Sequence, residues 1–201
     1  VWAAGYSGRS LEIRQWLRTG GNGSLAVIAS GEYLREGTKN ALPDAAHTFA
    51  AIGIEPTVWF ERIRSAYLAA RSRKNAAESR TYWAEVEQTA GLHFADLFSR
   101  LGGPILVHDF PEHALRLPPA WTIVVPVKKD AQLVRKNIDA IMSVWQKALE
   151  GGALGLAHTD DGLWFLKVGL EGPAIVVTDR YLVISFSPHA DRQNLELLNN
   201  R

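Results

Sequence analysis

The chain has no cysteine in its 201 residues. Disulfides, thiolate metal sites and cysteine nucleophiles are therefore excluded from its chemistry. No apolar run approaches the ~20 residues that a helix needs to cross a bilayer. An excess of one charge is missing as well: 22 Lys and Arg stand against 21 Asp and Glu, a formal net charge of +1. That balance supplies no global attraction to nucleic acid or to an acidic membrane face, and nucleic acid is not expected as a partner. The glycines at 20, 21, 23, 102 and 103 build no phosphate loop, because neither group is followed by Lys-Ser/Thr and neither forms G-x-G-x-x-G. A signal-peptide pattern is absent too. The chain opens on Val1-Trp2, and the expectation is a piece of a longer precursor whose targeting segment lies elsewhere.

What remains is enough for a folded core. Hydrophobic residues make up 47% and charged residues 21%, an ordinary globular balance. At this length one domain or two small subdomains can bury a core. Seven tryptophans supply large contact surfaces, in the core or, where exposed, at an interface.

Two stretches read alike. Leu25-Ala26-Val27-Ile28-Ala29-Ser30 leads into a helical pattern ending near Leu42, and Leu182-Val183-Ile184-Ser185-Phe186-Ser187 leads into another ending near Leu198. Each is a β-type apolar run, a serine able to cap a helix, and the helix. The duplication predicts two similar α/β halves. The rest of the pattern predicts strands over 47–54, 105–110, 121–127, 163–168, 174–178 and 181–186, with Asp179-Arg180 as a tight hairpin turn. Pro56 suits the first turn of a helix. Trp59, Ile63, Tyr67 and Ala70 share one face of that helix, and Trp83 continues a further helix that Gly91 ends. Asp130 is expected to cap a long helix whose buried stripe is Val134, Ile138, Ile141, Trp145 and Ala148. Residues 1–19 are ambiguous: 1–6 suit a strand, and 11–17 have helical spacing. Hairpins mixed with helices predict an α+β fold, with two similar α/β halves, largely antiparallel sheets and helices packed on one face. A boundary is expected near 72–82, giving halves of 1–78 and 79–201, with one continuous domain as the alternative.

The run from Glu87 to Leu97, followed by Leu101-Gly102-Gly103-Pro104-Ile105-Leu106-Val107, resembles a family of uncharacterised bacterial exported proteins, domain of unknown function three-three-five-two. The strand at 121–127 with Lys128-Lys129-Asp130, and the closing Asp179-Arg180-Tyr181-Leu182-Val183-Ile184 hairpin, resemble it too. The likeness covers residues 83–201 and little of the first 80, and Ala90 departs from the pattern. It implies an extracytoplasmic location, in the periplasm or cell envelope, and an α+β fold with repeated halves. It carries no activity, so no residue acquires a catalytic role from it and no cofactor is expected.

Among chemical motifs, His108-Asp109-Phe110-Pro111-Glu112-His113 is the densest cluster. Imidazole and carboxylate together bind zinc-like cations when three or four converge. On a strand His108 and Asp109 point to opposite faces, and Pro111 turns the chain before Glu112 and His113. The spacing therefore does not demand convergence, and a solvated strand end is the plainer account. Gly5-Tyr6-Ser7-Gly8-Arg9 faintly suggests a nucleophile elbow, but Arg9 occupies the position where the tight turn needs glycine. The basic residues Arg62, Arg64, Arg71, Arg73, Lys74 and Arg80 are interrupted by Glu61 and Glu78 and read as a solvated helix face. Asp160-Asp161-Gly162 lacks the remaining ligands of a calcium loop and reads as a turn. The leading reading is a non-enzymatic domain that binds a protein, peptide or envelope component. The rival is a metal-dependent hydrolase using His108, Asp109, Glu112 and His113.

Overall fold

The computed structural model describes residues 2–7, 10–15, 49–70, 76–109, 121–150, 152, 154–167 and 172–186. Strands β1 (Trp2–Ser7) and β2 (Ser10–Gln15) pair antiparallel, with Ser7 opposite Ser10. The helical spacing read over 11–17 is thus overridden by strand pairing across 10–15. Three helices follow strand β3 (Phe49–Ile52): α1 (Pro56–Ala70), α2 (Ala76–Ala90) and α3 (Phe94–Ser99). Then come β4 (Ile105–Asp109), β5 (Trp121–Pro126), the long helix α4 (Ala131–Leu149), and strands β6 (Gly155–His158), β7 (Trp164–Lys167), β8 (Ala174–Val177) and β9 (Tyr181–Ser185).

Among the described residues seven of these strands form one sheet, ordered β3-β4-β5-β9-β8-β7-β6, with every neighbouring pair antiparallel. The fold is α+β. Its logic is two meanders. β3, β4 and β5 follow one another; α4 then carries the chain to the far edge at β6, and β6 to β9 return until β9 lies beside β5. β3 comes from the stretch before residue 78 and pairs with β4 from the stretch after it.

Strand alternation sends successive side chains to opposite faces, and each face has its own cluster. On one lie Leu106, Val124, Val176 and Val183, all at most 2% exposed, with Leu163 and Ala174. On the other, Ile105, Ile123, Val125, Ile175, Val177, Leu182 and Ile184 pack with Leu97 and Phe98 of α3 and with Val134, Ile138, Ile141 and Met142 of α4. Trp164 fastens α4 to the sheet by donating its indole N–H to Asp139 Oδ1 at 2.7 Å, and the His158 ring stacks on it at 4.3 Å. Helices α1 to α3 share an aromatic core: Phe60 stacks on Phe98 at 4.6 Å and lies 5.9 Å from Trp83.

Helix faces depart from expectation in two places. On α1 Pro56 and Phe60 are buried, while Trp59 and Ile63 are 39% and 45% exposed. On α4 the expected stripe is buried at Val134 and Ile138 and half-buried at Ile141, but Ala148 is exposed and Trp145 is 60% exposed. Gly91 ends α2 with φ +65°, as its position suggested.

Candidate functional site

Three polar side chains lie side by side in the apolar face of the sheet. His108 is the register partner of Thr122, and Thr122 of Ser185. Each shares a face with the apolar residue two positions away: Leu106, Val124 and Val183. All three are buried, at 0%, 0% and 1% exposure, and none is without a partner. A serine, a threonine and a histidine in one row look at first like the parts of a nucleophilic site. Two features of the geometry decide otherwise. Neighbouring strands lie ~4.8 Å apart, so His108 and Ser185, separated by β5, are about 10 Å apart at the backbone. Activation of a hydroxyl needs its base within about 3 Å. Burial of all three also keeps any substrate away. As folded, the row is a polar seam within the core.

The four sequence candidates for a metal divide as follows. His108 is in that seam. Asp109 is the last residue of β4 and the register partner of Trp121. Glu112 and His113 lie outside the described residues. Among the described residues no group of three or more His, Asp or Glu is placed to hold a metal ion. Ser7 sits in a strand paired with another strand, whereas a nucleophile elbow requires a strand-to-helix turn. Asp161 accepts a hydrogen bond from Thr159 Oγ1, and Gly162 follows at φ +84°, so this segment is the β6–β7 turn that its sequence suggested.

Charged side chains gather at the end of the sheet where α1 and α4 begin. Lys128 Nζ donates to both Glu55 oxygens, at 3.0 and 2.9 Å. Arg100 pairs with Asp130, and Arg135 donates to the Val177 carbonyl and stands 3.7 Å from Asp179. The pairing of Asp130 corrects an expectation. It precedes α4 as foreseen, but with φ 52° and no side-chain hydrogen bond to the helix. Its carboxylate turns to Arg100 instead.

At the opposite end, Trp145 near the close of α4 and Leu154 just before β6 are 60% and 43% exposed. The sequence marks both as apolar; nothing local reveals that they face water. Compared with known proteins, the chain matches no protein-family model, no curated protein and no solved structure. No helix among the described residues is long and apolar enough to cross a membrane.

Proposed function

We propose that this chain is a non-enzymatic binding domain of an exported bacterial protein, engaging a protein, peptide or envelope component through the exposed apolar side chains at the α4–β6 junction. The observation that carries the reading is Trp145. It extends the apolar stripe of α4, yet it is 60% exposed. A large aromatic left in water on a rigid helix is the kind of anchor that dominates binding interfaces. The extracytoplasmic location is supported by the family resemblance over residues 83–201. The construction from two similar α/β halves, with helices on one sheet face, is supported by the like sequences at 25–42 and 182–198 and by the joint packing of α3 and α4 in one cluster.

A photo-crosslinking amino acid at position 145, introduced in cells, tests the function. The expected result is one discrete adduct, absent when the crosslinker replaces Lys136 and lost when Leu154→Asp is added. Trp145 is exposed, so its replacement is expected to change stability by no more than about 0.5 kcal/mol, and loss of binding will not reflect unfolding. No adduct at 145, or stoichiometric zinc in the purified protein that disappears in a His108→Ala/His113→Ala variant, overturns the reading.

A further inference from the structure

We propose that the outer edge of β6, beside Trp145, takes up an extended segment of a partner protein as an antiparallel strand with apolar side chains at alternate positions. The inference rests on the reading that Trp145 anchors a partner, and it adds the form that the partner takes there. Among the described residues β6 ends the sheet. Thr159 N–H donates to the Leu163 carbonyl, and this bond fixes the alternation of the β6–β7 ladder. In the register of these strands the hydrogen-bonded pairs are then Ala157 with Phe165 and Gly155 with Lys167. Leu156 and His158 turn their N–H and C=O groups away from β7, and no described strand meets them. Leu154 and His158 are exposed, and Gly155 and Ala157 are half-buried. A Cβ added to Gly155 would meet nothing within 4 Å among the described residues. Natural sheet edges are blunted by lysine, proline or a bulge. Gly155-Leu156-Ala157-His158, paired without interruption to β7, carries none of these.

Helix α4 leads to this edge. Near its start Val134 packs with Val177 of β8 and Leu182 of β9, and Arg135 donates to the Val177 carbonyl. One turn on, Asp139 receives the indole N–H of Trp164 in β7, and the helix also lies against β6. It meets the strands in the order that ends at the open edge. His158 stacks on Trp164, so His158 and, two positions earlier, Leu156 point to the helix side of the sheet. Trp145 follows Val134 by eleven residues, about three turns, and so points to the same side of α4. Val134 is fully buried there, yet Trp145 is 60% exposed. A strand added to β6 would lie about 4.8 Å outside it and bring alternate side chains toward the indole. In an antiparallel pair the residues that bond to Leu156 and His158 also share their face, so these are the ones that reach Trp145. Strand addition of this kind takes affinity from the main chain and specificity from alternate side chains. A second copy of this chain fits less well. Self-pairing centred on Leu156 or Ala157 would set His158 or Asp160 of that copy opposite Leu154, a polar group at the sheet end where the indole needs an apolar one.

The probe is a lysine-flanked synthetic peptide of alternating valine and threonine, added to the whole chain. With the peptide at about ten times its Kd, hydrogen exchange of the Leu156 and His158 amides should slow about tenfold. A peptide N-methylated on its valines, whose N–H groups face β6, should not bind. One N-methylated on its threonines, whose N–H groups face away, should keep its affinity. Trp145→Ala should weaken binding about 30-fold, as for the loss of an aromatic anchor, and Trp59→Ala should leave it unchanged. Four results would each overturn the proposal: no binding, equal binding of the two methylated peptides, binding without slower exchange at Leu156 and His158, or a dimer in sedimentation equilibrium whose Leu156 and His158 amides are protected without peptide. A discrete cellular adduct at position 145 alongside any of these keeps the anchor and removes only the added strand, so the two readings fail separately.

Discussion

Gly103 stands where a side chain has no room. A Cβ built on it would lie 2.5 Å from the Ile54 carbonyl oxygen, and backbone cannot swing aside as the tip of a long side chain can. Gly103→Ala is therefore expected to destabilise the protein by about 1–3 kcal/mol, read as a lower urea midpoint at unchanged slope. Gly102→Ala serves as the contrast. Its added methyl meets the flexible stem of Lys128, and the loss should be smaller. The sequence marks Gly102-Gly103 as a break in the chain but not the reason for it. The obstacle lies 49 positions upstream, and only the pairing of β3 with β4 brings it near. The same limit explains the tryptophans. Helical spacing identifies which residues share a face of α1 or α4, but whether anything covers that face depends on elements distant in the chain, as when Phe60 of α1 packs on Trp83 and Phe98. Trp164, at the start of β7, is 5% exposed, and its indole N–H meets Asp139 of α4, a partner twenty-five positions away that no local pattern reveals. His108 was legible as a strand residue. Its place in a buried row with Thr122 and Ser185 follows from strand order, which no single stretch of sequence contains.

Helix ends show how local signals compete with distant partners. Asp130 has the composition of an N-cap, and Arg100, thirty residues earlier, takes its carboxylate. Helix α3 receives the complementary arrangement. Its preceding residue His93 makes no side-chain cap; Glu87, still within α2, supplies one. Glu87 Oε1 accepts from the Phe94 N–H at 2.9 Å, and its second oxygen faces His93 Nδ1 at 3.4 Å. One carboxylate thus closes the α2–α3 corner, and it sits where the helix dipole favours negative charge. Loss of a cap of this kind costs about 1 kcal/mol, so Glu87→Ala should lower the urea midpoint accordingly, while Glu85→Ala on the exposed face of α2 should leave it in place. Strands were legible where β-branched residues cluster: the 121–127 and 181–186 patterns fall on β5 and β9. Strand β6 escaped notice because Gly155-Leu156-Ala157-His158 carries no β-branched residue and little alternation. What makes it a strand is its pairing with β7 across four consecutive register partners.

At the scale of the molecule, the decisive contact is between β5 and β9. These strands join the β3–β5 meander to the β6–β9 meander through five consecutive register pairs, from Thr122↔Ser185 to Pro126↔Tyr181. Val124 and Val183, opposite one another, are both fully buried. The hairpin of β8 and β9 follows from the Asp179-Arg180 turn that the sequence displays. The joining of the two meanders does not, since it is a contact between residues about sixty positions apart and depends on α4 carrying the chain to the far edge. Local opening is hardest where strands are paired on both sides and buried on both faces, so the amides of β5 and β9 should exchange most slowly with solvent. If the sheet opens as one unit, amides in β4, β5, β8 and β9 will share a single opening free energy with a common denaturant slope in native-state hydrogen exchange. A Val183→Ala substitution, which leaves a void in the central strand, should then lower that shared value for residues on both sides of α4 alike. Two exchange groups with separate slopes, one for β3–β5 and one for β6–β9, with Val183→Ala felt only in the second, would show instead that the meanders fold as independent units resting against each other.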